Sequence, residues 1–179
     1  MKVLVAYASK YGSTRRIAEF IGEKLRSTGM TADVKEVGAA SNIGEYGAFV
    51  IGSAVFMGKW MKEATEFVTR NGATLASRPV FLFSSGPLGT QPKDRKGQDV
   101  REGAVYAKDV EQLKSVSHAR DHRVFFGTLD PDRLSLAHKL VRMIPAAHDV
   151  MPKGDFRDWK EIEAWARGIE VALGAQVTT

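Results

Sequence analysis

Two spacings of apolar residues alternate along the chain. Lys2-Val3-Leu4-Val5-Ala6-Tyr7 is a short, nearly continuous apolar run, the signature of a strand buried on both faces of a parallel sheet. From Thr14 the period changes. Ile17, Ala18, Ile21 and Leu25 recur at three- and four-residue steps with charged residues between them, which predicts an amphipathic helix that Gly29 ends. The same alternation then repeats, predicting strands at 32–37, 48–53, 79–84 and 122–128, and helices at 62–71, 105–116, 131–144 and 156–173. Strands alternating with helices make βαβ units with right-handed crossovers. The expected fold class is therefore α/β, a three-layer α/β/α sandwich around a parallel sheet of about five strands.

Length and composition narrow the picture. The chain has 179 residues, enough to bury a core without staples, and residues 1–175 read as a single domain. Residues 86–103 are poor in large apolar side chains, but they are too few to separate two cores and read as an inserted loop. Cysteine is absent, which excludes disulfides, thiolate metal sites and a thiol nucleophile, so redox chemistry has to come from a bound cofactor. No apolar run approaches the roughly 20 residues of a membrane span. The start of the chain lacks the features of a signal peptide, and a soluble, cytoplasmic protein is expected. The net charge of +5 is scattered among acidic residues, with no aromatic-interleaved basic run, so nucleic acid is not an expected partner.

In a doubly wound sheet, ligands collect at the carboxyl ends of the strands. Three loops leave such ends with unusual composition: 8–14, 53–60 and 84–90. In the first, Ser9-Lys10-Tyr11-Gly12-Ser13-Thr14 joins a buried strand to a helix, so backbone N–H groups and the positive end of the helix dipole converge on one volume suited to a phosphate. Ser9, Ser13 and Thr14 add hydroxyl donors, and Gly12 permits a tight turn. An ordinary helix cap supplied by Ser13 or Thr14 accounts for the same residues. Other phosphate and hydrolase motifs fail: no G-x-G-x-x-G follows the first strand, residues 52–59 miss the Walker A spacing, and no G-x-S-x-G elbow exists.

The hydroxyl-rich turn Ser9-x-Tyr11-Gly12-Ser13-Thr14 resembles the phosphate loop of flavodoxins. Gly52-Ser53 with the aromatic-containing turn after it, and Ser84-Ser85-Gly86 after the fourth strand, fall where that family places its two flavin-ring loops. The resemblance implies a flavodoxin-like sheet of order 2-1-3-4-5 and FMN as cofactor, with a deazaflavin as a further option. The cofactor-binding residues it implies are Ser9, Lys10, Tyr11, Gly12, Ser13 and Thr14; Ser53, Ala54, Val55, Phe56, Met57 and Gly58; and Ser84, Ser85, Gly86, Pro87, Leu88 and Gly89. A closer resemblance is to the flavodoxin-like, menaquinone-dependent protoporphyrinogen dehydrogenases, through a basic helix at Arg133 to Ile144 and the segment Gly154-Asp155-Phe156-Arg157-Asp158-Trp159.

A flavin ring is a large planar apolar surface, so Phe56, Met57 and Trp60 are stacking candidates, with Phe56 the better placed and Trp60 equally open to core packing. Gly58 would let a peptide reorient as the flavin is reduced, as the resemblance implies. No catalytic acid or base emerges. His118 and His122 flank Asp121, but the stretch passes from helix to strand and no metal is assigned. The resemblance implies an FMN-dependent oxidoreductase of a small-molecule substrate, a porphyrinogen or a quinone. The alternatives are a non-enzymatic carrier serving a redox protein and an NAD(P)H:quinone reductase. The charged loop 89–103 reads as a solvated insertion or as a site for substrate carboxylates. The stripe Leu134, Ala137, Val141 and Ile144 with Arg133, Lys139 and Arg142 reads as core packing or as a peripheral membrane contact.

Overall fold

The computed structural model describes residues 1–86, 97, 99–101, 104, 107–130 and 153–174. The first apolar run forms β1 (Lys2–Ala8) and the first amphipathic segment forms α1 (Ser13–Ser27). After β2 (Thr31–Glu36) and two single 3-10 turns, β3 (Ala48–Phe56) leads into β4 (Lys59–Trp60), α2 (Lys62–Arg70) and α3 (Gly72–Ala76). β5 (Val80–Ser85), α4 (Ala107–Ser117), β6 (Asp121–Phe125), β7 (Thr128–Leu129), β8 (Gly154–Asp155) and α5 (Trp159–Gly174) follow.

The parallel strands pair in the order β2-β1-β3-β5-β6, with β4 added antiparallel on β3 and β7 paired to β8 in a separate ribbon. Consecutive residues of each central strand enter opposite layers, because side chains alternate along a strand. Val3 and Val5 of β1 join Ile17, Ile21, Leu25, Trp165 and Ile169 on the α1–α5 side, whereas Leu4 and Ala6 join Phe67, Val68, Leu75 and Leu113 on the α2–α4 side. Phe81 and Phe83 of β5 divide from Val80 and Leu82 in the same way. Two cores flanking one sheet make the three-layer sandwich that the alternating periods predict.

One glycine is fixed by this packing. A Cβ on Gly52 would lie 2.0 Å from the Phe83 ring, which itself meets Phe125 and Trp165 with centroids 6.1 and 6.0 Å away.

Several boundaries differ from the periodicity. β3 continues to Phe56 and turns back as β4, which places Trp60 on a strand rather than at the head of the second helix. The predicted helix 62–71 stops at Arg70, and a second short helix, α3, follows. β6 ends at Phe125, and the last helix starts at Trp159, directly after Asp158, whose carboxylate accepts the N–H groups of Lys160 and Glu161 at 2.9 and 3.1 Å. The predicted helix 131–144 lies outside the described residues. No helix among the described residues is long and apolar enough to cross a membrane.

Candidate functional site

Register places the candidate loops side by side. Ala8 is level with Ser53, Ser53 with Ser84, and Ala54 with Ser85, so β1, β3 and β5 end in one row and their loops open onto a common cavity of about 390 Å3. It is walled by Ser9, Lys10, Tyr11, Ser13 and Thr14 from the first loop, and by Ala54, Val55, Phe56, Met57 and Met61 from the second. Ser85 and Gly86 contribute from the third, and Gly127, Thr128 and Leu129 from the segment after β6.

The first loop gathers hydroxyl and backbone N–H groups at the head of α1. Gly12 adopts φ 90°, a left-handed conformation that favours glycine, and its N–H donates to Ser9 Oγ at 3.1 Å. No side chain caps α1, and its first turn carries no acidic residue, so the capping account of Ser13 and Thr14 is not what forms. Ser13 Oγ instead accepts the Thr128 N–H at 3.1 Å and meets Ser85 Oγ at 3.3 Å, which ties the first loop to the third and to β7. Thr14 is fully buried, and its hydroxyl has no hydrogen-bond partner. A buried hydroxyl left unpaired at the positive end of a helix is satisfied by an anion that approaches the loop. A phosphate fits this donor set.

The second loop supplies a broad apolar wall. Phe56 and Lys59 pair across the β3–β4 hairpin, and the two residues between them take positive φ, 51° at Met57 and 76° at Gly58. This is the pattern of the tight hairpin turn whose twist matches its strands. Phe56 is 47% and Met57 80% exposed, at the mouth of the cavity, and Lys10 Nζ lies 4.5 Å from the centre of the Phe56 ring. A planar aromatic ligand would cover surface that is otherwise left to solvent. On the facing side, a Cβ at Gly86 would sit 3.0 Å from that of Val55, so this residue keeps the second and third loops close.

Three of the sequence-predicted residues serve the frame rather than the cavity wall. Ser53 Oγ accepts the Met61 N–H at 3.0 Å and donates to the Ala54 carbonyl, which anchors the entry to α2. Ser84 Oγ accepts the Trp60 indole N–H at 2.8 Å. Gly58 shapes the hairpin turn. Gly12 turns its outer side toward a second, open depression lined by Arg15, Arg16 and Trp159. Trp60 is 6% exposed and belongs to the α2–α4 core, so of its two expected places it takes core packing. Pro87, Leu88 and Gly89 lie outside the described residues, as does most of the charged loop.

Met61, Gly127, Thr128 and Leu129 were not anticipated. Periodicity runs the last strand through to Thr128, which hides the change of direction after Phe125. The available clue was the Gly154–Trp159 segment. Thr128 and Leu129 pair with Asp155 and Gly154, the Thr128 hydroxyl donates to the Gly154 carbonyl at 2.9 Å, and Trp159 rests on Phe20 with ring centres 5.0 Å apart. That segment braces the fourth wall.

Comparison with known proteins agrees with this geometry. The Flavodoxin domain family matches residues 4–149. Protoporphyrinogen IX dehydrogenase [quinone] of Escherichia coli strain K12 is 29% identical over 100 residues, 55% of each chain, so the match spans about half the length of this curated relative. A flavodoxin from the domain Archaea superposes with a TM-score of 0.55 at 20% identity, covering 74% of this chain and 89% of its own. The rubredoxin oxygen:oxidoreductase of Desulfovibrio gigas gives 0.64 at 15% identity, over 99% of this chain and 37% of the other. With the sheet order and this family match together, the chain belongs to the Flavodoxin domain family, and its cofactor is FMN.

Proposed function

We propose that this protein is an FMN-dependent oxidoreductase that oxidises a porphyrinogen and passes the electrons to a quinone. The observation that carries the cofactor half of this reading is the uncapped start of α1 with the buried, unpartnered Thr14 hydroxyl, opening directly onto an apolar cavity. The substrate half is supported by the similarity to protoporphyrinogen IX dehydrogenase and by the net charge of +5, which suits a substrate bearing carboxylates.

When bound, FMN supplies the electron-accepting ring, and the chain supplies orientation. Ser9, Gly12, Ser13 and Thr14 would hold the phosphate, with Lys10 beside them. Val55, Phe56 and Met57 would cover one side of the ring, and Ser85 and Gly86 would face its edge. The carboxyl ends of three strands give these groups a rigid base, which limits the motion lost on binding.

The exposure of Phe56 and Met57 also favours a second reading, an electron carrier that docks a redox protein over the same mouth. Anaerobic stopped-flow spectroscopy separates the two. Reduction of the FMN-loaded protein by protoporphyrinogen, followed by reoxidation with menaquinone, is the expected result. Reduction by a flavodoxin reductase alone would establish the carrier instead.

A further inference from the structure

Beside the hairpin, three polar side chains form a continuous chain that runs from the buried Trp60 and Ser84 to the half-buried His122. Trp60 Nε1 donates to Ser84 Oγ at 2.8 Å, and Ser84 Oγ lies 2.8 Å from His122 Nε2. The three residues belong to β4, β5 and β6 and point into the α2–α4 layer. Ser84 is fully buried. An indole nitrogen can only donate, so Ser84 accepts there, and its own hydroxyl proton finds an acceptor in His122 Nε2 when the ring carries its proton on Nδ1.

This chain ends on the turn that borders the cofactor cavity. Trp60 follows the Phe56–Lys59 pair that closes the Met57-Gly58 turn, and the next residue, Met61, is itself pinned by its N–H to Ser53. Trp60 is buried in the α2–α4 core, and its neighbours Val55 and Met61 both pack against that core and line the cavity beside Phe56 and Met57. The turn carries positive φ at Met57, a non-glycine residue, and such a conformation persists only where its surroundings hold it.

We propose that His122 is a positioning residue for the cofactor site: it orients Ser84, Ser84 orients Trp60, and Trp60 holds the Met57-Gly58 turn in the geometry that receives FMN. The proposal rests on the FMN reading of the cavity and adds to it a distant residue that touches neither cavity nor cofactor. Protonation reverses the device. An imidazolium at His122 donates from Nε2, which leaves the Ser84 hydroxyl proton without its acceptor and a charge within the layer. Burial pushes His122 down to about 4, reinforced by Lys114 of α4 and opposed by Asp121 of β6 and Glu111 of α4. Asp109 of α4 and Lys59 of β4 line the small cavity beside Trp60, and β5 offers the imidazole only the neutral Ser84.

The test joins FMN titration, followed by quenching of flavin fluorescence, with amide hydrogen exchange of the cofactor-free protein. His122→Leu should weaken FMN about five- to tenfold, the equivalent of one lost hydrogen bond. Exchange should quicken at residues 57–59 and stay unchanged in β1 and α1. His122→Gln, whose side-chain carbonyl can take the Ser84 proton, should restore both to within about twofold of the original, and the acid-side loss of affinity should vanish with it. Ser84→Ala, a small change that keeps the strand, should reproduce His122→Leu. In a Trp60→Phe background, His122→Leu should add nothing further. Unchanged FMN affinity and unchanged exchange in both His122→Leu and Ser84→Ala would overturn the proposal, as would full additivity with Trp60→Phe. If the unaltered protein takes up no FMN, the cofactor reading fails by itself, and exchange at residues 57–59 still decides whether His122 holds the turn.

Discussion

A hydroxyl buried without a partner costs a fold about 1–3 kcal/mol, and Thr14 carries that cost. Thr14→Val keeps the shape and removes the oxygen, so its effects on stability and on binding should have opposite signs. The cofactor-free protein should melt at the same temperature or higher, while FMN binds about tenfold more weakly, as expected for a lost hydrogen bond to a charged oxygen. Calorimetry of the empty protein and a fluorescence titration check the two halves. His122 makes a pH prediction of equal specificity. Its pKa falls from an ordinary 6.5 in the unfolded chain to about 4 in the fold. Above 6.5 neither state binds the proton. Between 6.5 and 4 the unfolded chain binds it and the fold does not, so stability declines as pH falls, by at most about 1.4 kcal/mol per unit. Below 4 this contribution is flat. Urea unfolding across that range should show the decline in the unaltered protein and a shallower one in His122→Gln, the difference being the share of His122.

At the scale of elements, the hairpin β3–β4 is the part of the site where local propensity and function diverge. A tight turn with positive φ at both central residues favours Asn-Gly, whereas this chain places Met57 before Gly58. Met57→Asn should therefore raise the melting temperature, by an amount corresponding to about 0.5–1 kcal/mol. If the exposed methionine serves a ligand or partner, the same change should slow reaction with it, and parallel melting and stopped-flow measurements would show the trade. The sandwich itself was legible because Val3 to Ala6 of β1 and Val80 to Phe83 of β5 are apolar at every position and α1 is apolar on one stripe only, and those two periods demand a covered sheet. The phosphate loop was legible because its hydroxyls and glycine sit in sequence between a strand and a helix. The hairpin was not, since its returning strand, Lys59–Trp60, is only two residues long and Met57-Gly58 is not a usual hairpin dipeptide. Nor was the inward aim of Ser53 and Ser84. A serine at a strand's end reads as a loop donor, and only the register with β4 and β6 shows that both are consumed in holding the frame.

For the molecule as a whole, fold and family set where a ligand sits, and charge sets what approaches it. The net charge of +5 accompanies Lys10 at the rim of the cavity and Lys59 on the adjoining hairpin. Field lines from a positively charged molecule steer anionic encounters and repel cationic ones, and salt screens both over a Debye length of about 10 Å at 0.1 M. The scattered basic residues therefore have a kinetic consequence that the shared fold does not dictate. Electron exchange between the FMN-loaded protein and a strongly acidic iron–sulfur donor should slow about tenfold or more as salt rises from about 0.02 to 0.5 M, whereas exchange with a basic cytochrome should become faster. Stopped-flow rates across that range, with both partners, measure the two slopes. Reduction by a carboxylated porphyrinogen should follow the acidic donor, with a shallower slope because the substrate carries fewer charges. Slopes of opposite sign for the two proteins would show that the whole-molecule field governs encounter. A common slope would place control in the contact itself, and the exposed Phe56 and Met57 would then be the residues to change next.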